Sequence, residues 1–316
     1  MTPSQTAERL DSYTGLLEHV ACNLCGADDA REIYPARYDH TSAASLVEKY
    51  RSSGDEVLID RLVRCNRCGL QYLDPRPRAD VILEGYSEGS DENFVSQVAG
   101  RERTSERCLD VIERHAGRRG RILDIGTAAG SFLHVARRRG WQVAGCEPNR
   151  WLCDWARENY GLSVHPGTLV DMPDTRAAGF DVVTLWDVLE HLADPRATLA
   201  ECRRLLKPGG ILVVNYPDVG SWIARLMGRR WVFLLSVHLY YFTPATIERL
   251  LDDTGFDPVG RRPHFQTLEL GYILFRARAY VPWAYPLASR LARLLRAERL
   301  HVPYWIGQTL VVARRR

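Results

Sequence analysis

The chain has 316 residues, a charged fraction of 26%, a hydrophobic fraction of 46% and a formal net charge of +3. Its length suggests two domains, and its composition excludes a disordered or fibrous chain. So small a net charge argues against a nucleic-acid partner.

Residues 1–20 are polar and lack the apolar core of a secretory leader, which predicts a cytoplasmic protein with reduced thiols. Two matching knuckles follow, Cys22-Asn23-Leu24-Cys25-Gly26 and Cys65-Asn66-Arg67-Cys68-Gly69. Four thiolates with no open position make a structural zinc site, and each glycine frees backbone amides to face sulfur. The spacing predicts a zinc ribbon over 20–78 with an enlarged insertion at 30–62 that could reach over the rest of the chain. Free cysteines or two redox pairs are the other readings. Cys108, Cys146, Cys153 and Cys202 are scattered in apolar contexts and read as core residues. Asp74-Pro75-Arg76-Pro77 reads as the turn that ends the ribbon, and 79–118 as a helical connector.

Residues 121–133 read Arg-Ile-Leu-Asp-Ile-Gly-Thr-Ala-Ala-Gly-Ser-Phe-Leu. An apolar strand enters a small-residue turn, the turn opens a helix, and a second apolar strand ends on Glu147. A doubly wound α/β sheet holds an adenosine-bearing cofactor in this way. Gly126 can take a positive φ and admit a ligand against the backbone. The pattern Asp-x-Gly-x-Ala-x-Gly is neither the dinucleotide fingerprint nor a P-loop. Periodicity predicts strands near 121–125, 142–146, 181–185 and 211–215, and helices after Gly130, Asn149 and Pro195.

Further blocks follow in order: Gly167-Thr168-Leu169-Val170-Asp171, then Trp186-Asp187-Val188-Leu189-Glu190-His191, then Leu205-Leu206-Lys207-Pro208-Gly209-Gly210. Over roughly 105–260 this series resembles the class I S-adenosylmethionine-dependent methyltransferases, in particular the small-molecule branch that includes ubiquinone O-methyltransferases. The resemblance implies a seven-stranded Rossmann-like methyltransferase sheet, α/β in class, over 119–316. A last strand pair near 258–265 and 307–314 would close that sheet.

It also implies roles. Asp124, Gly126, Ala128 and Gly130 would line the methionine and ribose side of S-adenosylmethionine. Glu147 would take the ribose hydroxyls, Thr168 and Leu169 would meet the adenine, and Trp186 and Asp187 would face the methionine end. Ala128 stands where the family has a glycine. Thr168 stands where it has an aspartate, which offers the adenine amino group a weaker acceptor.

Ligands of open α/β sheets sit beyond the carboxyl ends of the strands. Candidates there are Glu190 and His191, the run 215–218, and His238 beside Tyr240 and Tyr241. Histidine titrates near neutrality and suits removal of a proton from a methyl acceptor. His238, with His191 and Asp187 behind it, is the expected catalytic group, behind the aromatic wall of 231–237. Alignment alone could supply much of the acceleration.

The stretch 281–300 interleaves Trp283, Leu287, Leu291, Leu294 and Leu295 with Arg290, Arg293 and Arg296. Such a helix can pack on the core, cap a pocket, form a dimer face or lie on a membrane surface. Pro282, Pro286 and the arginines exclude a bilayer span.

The expected activity is methyl transfer to a small-molecule acceptor: a sugar, a natural-product scaffold or a lipid-linked intermediate. A zinc-ribbon RNA base methyltransferase is an alternative. The weak net charge and the lack of an Asn-Pro-Pro-Tyr motif speak against it. A non-catalytic partner-binding module is the other alternative, opposed by Asp124 and Glu147.

Overall fold

Runs of branched apolar residues alternate with amphipathic stretches from residue 121 onward, and the chain winds them into one layered sheet. The structure is a computed structural model and describes residues 15–37, 57–90, 92–172, 178–278 and 280–316. The N-terminal part supplies β1 (Leu17–Glu18), β2 (Ala30–Tyr34), β3 (Leu62–Cys65), β4 (Gln71–Leu73) and β5 (Arg76–Pro77). Helices Ala79–Ser87, Glu92–Val95 and Val98–Ala116 follow.

The remaining strands are β6 (Arg121–Ile125), β7 (Gln142–Glu147), β8 (His165–Pro166), β9 (Phe180–Trp186), β10 (Leu206–Pro217), β11 (Tyr240–Tyr241), β12 (Phe256–Pro263), β13 (Gln266–Glu269), β14 (His301–Tyr304) and β15 (Gln308–Arg315). Seven of them form the main sheet in the order β12-β15-β10-β9-β6-β7-β8. Strands β6 to β10 run parallel, and β15 lies antiparallel between β10 and β12. The order reverses at β6 and β9, so the crevice beyond their carboxyl ends is the expected ligand position.

Alternation along each central strand feeds two cores. Ile122, Val182 and Val213 pack with Leu109, Phe132 and Ala156 from helices Val98–Ala116, Ser131–Arg138 and Arg150–Tyr160. Leu123, Val183 and Leu212 face the other way, against Leu199 and Leu250 of helices Pro195–Leu205 and Pro244–Asp253. The expected strands and helices of this part all form, with ends within a few residues.

The ribbon is built into that second core. Leu62, Val63, Leu70 and Tyr72 belong to the same buried cluster as Leu123 and Leu185. Its sheet, β11-β4-β3-β2, borrows its edge strand β11 from residues 240–241. Tyr240 pairs with Tyr72 in that register. Most of the insertion expected over 30–62 lies outside the described residues. At its described end, Leu58 N–H donates to Leu234 O at 2.9 Å and Ile59 N–H to Ser236 Oγ at 3.0 Å.

Residues 266–304 add a strand pair and a first helix that periodicity did not predict. Strands β13 and β14 pair antiparallel, and between them the chain makes helices Leu270–Ala277 and Tyr285–Leu294, packed on each other. The second helix carries its large side chains outward. Leu287 and Leu294 are 75% and 79% exposed, whereas Ala292 is buried. A core-packing helix would have the opposite orientation.

Candidate active site and cysteine centre

Strand β6 ends at the turn that begins the site. Gly126 takes φ 65°, and a Cβ there would stand 2.6 Å from Val188 Cγ2. Gly130 takes φ 76°, and a Cβ would stand 2.9 Å from Leu162 Cδ1. Both positions therefore require glycine, for conformation and for space. Ala128 adopts a positive φ of 47°, so the small side chain at this place carries some backbone strain. Its N–H donates to Glu147 Oε2 at 2.8 Å, which ties the turn to the end of β7.

Glu147 is buried, and Oε1 accepts the Asn149 N–H at 2.9 Å. Burial pushes its carboxyl up to about 7, against the lowering effect of hydrogen bonds from Asn149, Ala128 and the Tyr86 side chain. A carboxylate has about four lone-pair sites, so it retains acceptor capacity for a hydroxyl ligand. Asp124 is likewise buried and pushed up to about 7, first by desolvation, while the Thr184 hydroxyl, donating to Oδ1 at 2.6 Å, lowers it. Its Oδ2 has no hydrogen-bond partner among the described residues. Two glycine positions that refuse a side chain, an orphaned buried carboxylate oxygen and a second carboxylate at the next strand end form a cradle that fits a nucleoside-bearing cation.

Tyr86 and Asn149 are site residues that sequence reasoning missed. The Asn149 side chain accepts from Leu152 N–H and donates to Tyr86 O and Gly89 O at 2.8 and 2.9 Å. The connector thus covers the Glu147 end of the cradle. The Asn before the helix at 150 was the only signal, and it pointed to a cap alone.

Thr168 N–H and its hydroxyl both donate to Asp171 Oδ2, at 2.8 and 2.7 Å, around the short turn Leu169–Asp171. Leu169 is buried in the core below. Asp171 is exposed, so the carboxylate missing at 168 stands three residues on. Trp186 packs its ring against Phe132, centroids 5.0 Å apart, and against His264 at 6.0 Å. Its Nε1 is buried without a partner among the described residues.

Asp187 follows β9 as a polar hub. Asn215 Nδ2 and Gln308 Nε2 donate to Oδ1 at 2.5 and 2.7 Å, and Gln266 Nε2 to Oδ2 at 2.8 Å. Three amide donors leave it little capacity for proton transfer. They fix the roots of β10, β13 and β15 around one carboxylate instead.

One turn further on, three groups converge. Glu190, His191 and His238 each bring a ligating atom within 4.8 Å of the others. The His191 and His238 rings stand edge to face, 4.7 Å apart. His191 Nδ1 lies 2.9 Å from Val237 O, and His238 Nδ1 lies 2.8 Å from Phe233 O. A carbonyl only accepts, so both Nδ1 atoms carry hydrogen and both Nε2 atoms carry a bare lone pair. Burial holds His191 down at about 4 and, with His191 beside it, His238 well below the usual histidine range. Glu190 is buried, and neither of its oxygens has a hydrogen-bond partner among the described residues. Burial and the nearby Asp187 charge push its carboxyl up. The set thus pairs two bare imidazole lone pairs with a carboxyl that favours its protonated form.

The four knuckle sulfurs form a second centre. Cys22 Sγ and Cys68 Sγ are 3.4 Å apart, Cys25 Sγ and Cys65 Sγ 3.5 Å, and all four lie within 4.8 Å. A tetrahedral zinc with Zn–S near 2.3 Å requires S···S of about 3.8 Å. Each knuckle repeats one turn: Gly26 N–H donates to Cys22 O at 2.8 Å and Gly69 N–H to Cys65 O at 3.0 Å. Asn23 anchors the first knuckle, donating to Asp194 Oδ1 at 2.9 Å and accepting from Arg196 N–H at 3.1 Å.

The sheet order, the glycine turn and the acidic strand end define a Rossmann-like α/β fold. Residues 100–260 match a family model described as a methyltransferase domain, and the chain belongs to that family. It is 34% identical over 155 residues to a ubiquinone biosynthesis O-methyltransferase of Cereibacter sphaeroides, covering 45% of this chain and 62% of that one. With the same enzyme of Aromatoleum aromaticum it shares 33% over 162 residues, 47% of this chain and 69% of the relative. The chain thus spans under two thirds of the Cereibacter relative. It is also similar to a solved methyltransferase of Archaeoglobus fulgidus, with TM-score 0.48 and 19% identity over 71% of this chain and all of the other.

Proposed function

We propose that the protein transfers a methyl group from S-adenosylmethionine to a small-molecule acceptor. The observation that carries this reading is the cradle of Gly126, Gly130, Asp124 and Glu147 at the reversal of strand order. In this reading Glu147 accepts the ribose hydroxyls. Asp124 and Ala128 border the ribose and methionine side, and Thr168 and Leu169 border the adenine, with Asp171 supplying the carboxylate. Trp186 borders the methionine end. Bound there, S-adenosylmethionine supplies an electrophilic methyl group on a sulfonium.

The acceptor lies beyond β9 and β10, next to Glu190, His191 and His238. His238 Nε2, an unprotonated acceptor, takes the proton from the nucleophile or orients it, with the buried Glu190 carboxyl beside it. Asp187 holds the surrounding strand ends in register rather than moving a proton. Cys22, Cys25, Cys65 and Cys68 hold a structural zinc ion. The ubiquinone biosynthesis enzymes among the relatives support an oxygen nucleophile.

Purified protein with labelled S-adenosylmethionine, screened against phenolic, sugar and lipid-linked acceptors, tests the reading. Label in a small-molecule product supports it. Label appearing only in RNA would overturn it.

A further inference from the structure

The helix Tyr285–Leu294 is oriented against the usual rule for surface helices. Ala288 and Ala292 lie on its packed side, while Leu287, Leu291 and Leu294 recur at helical spacing and face outward, with Trp283 in the turn before the helix. Trp283 is 83% exposed. Leu295 and Leu300 extend the same apolar surface, and both are exposed. The segment 270–300 carries six arginines and one acidic residue, Glu298, so it is more positive than the whole chain at +3. Arg290 and Arg293 flank the leucine stripe along one side.

We infer that this helical excursion docks on a lipid bilayer bearing anionic headgroups. A basic helix with Trp and Leu on its outer face lies in the interfacial plane, and anionic lipid strengthens its binding. Charge selects this occupant over a second copy of the chain. A two-fold contact through the same face would bring the arginines of both copies together, whereas a headgroup layer neutralises them. The root of the excursion lies beside the proposed site. Tyr304 OH donates to Gln266 Oε1 and Gln266 Nε2 donates to Asp187 Oδ2, both at 2.8 Å. Docking therefore turns the strand ends that carry the acceptor site toward the membrane.

The test is sedimentation of the full chain with vesicles of phosphatidylglycerol and phosphatidylcholine, and with phosphatidylcholine alone. The chain should pellet with the anionic vesicles, and salt should weaken the binding. The triple variant Leu287→Glu, Leu291→Glu, Leu294→Glu alters only exposed side chains, and should lower vesicle partition by at least about tenfold. Arg290→Gln with Arg293→Gln should weaken binding to anionic vesicles only. Melting temperature and S-adenosylmethionine affinity should match the parent in both variants, so failure here is separable from failure of the proposed activity. A parent chain that stays in the supernatant, or a triple variant that binds as the parent does, overturns the inference. So does a dimeric parent that the triple variant converts to monomer, which would make a second copy the occupant.

Discussion

Glu147 and His238 do opposite work with burial. Burial raises Glu147 from 4.5 to about 7, so the free chain holds this carboxyl protonated below that range. Ribose hydroxyls donate to the ionised form. Cofactor affinity should therefore rise with pH up to about 7 and level off above it, with a proton released on binding in the lower range. The effect on stability runs the other way. A raised carboxyl pKa favours the folded free chain below 4.5, and that contribution is lost as pH rises through about 7. Calorimetry across pH in buffers of different ionisation enthalpy reads the linkage, and a pH-independent affinity with no proton release would refute it. Burial instead keeps His238 in its basic form at neutral pH. His238→Ala should lower turnover by roughly 10²–10⁴-fold with cofactor affinity unchanged, and Glu190→Gln should lower it in the same direction. A loss of only a few-fold in the His238 variant would leave alignment as the source of rate.

At the scale of elements, legibility followed local pattern. The strand–turn–helix at 121–133, Glu147 at the next strand end and the paired knuckles were readable because spacing alone constrains them. The cover that the helix Ala79–Ser87 puts over Glu147 was not. Tyr86 and Asn149 meet through hydrogen bonds across more than 60 residues of chain, which no periodicity encodes. The amide cage of Asp187 is equally non-local, drawing on Asn215, Gln266 and Gln308. The amphipathic pattern at 281–300 correctly announced a helix. Amphipathicity does not say whether the apolar face meets protein or something else, and here the alanines take the packed side. Disrupting the Asp187 cage tests its positioning role. Gln266→Ala should cost about 1–3 kcal/mol of stability for the unmet buried partner and reduce turnover through KM and kcat together. Unchanged kinetics would assign Gln266 to packing alone.

Taken as a whole molecule, the ribbon and the sheet share one core. The knuckle spacing predicts a zinc ribbon over 20–78, with an insertion that could reach over the rest of the chain. In the structure, Tyr72, Leu62 and Leu70 pack in the cluster that contains Leu185 and Leu212, and β11 pairs with β4. Removing a structural zinc should therefore loosen the entire chain rather than its first quarter. Metal analysis should find one zinc per chain. Chelation should lower the melting temperature of the single transition by on the order of 10 °C or more. Two separate transitions, of which only one responds to chelator, would contradict the shared core. Among the described residues no helix is long and apolar enough to cross a membrane.

Titration of S-adenosylmethionine into the full chain and into Glu147→Gln by calorimetry tests the central claim most directly. The account predicts one site per chain and an affinity loss in the variant of at least about tenfold, equivalent to a charge-assisted hydrogen bond of 1.5–3 kcal/mol. No binding to the parent chain, or equal binding to both, would contradict it.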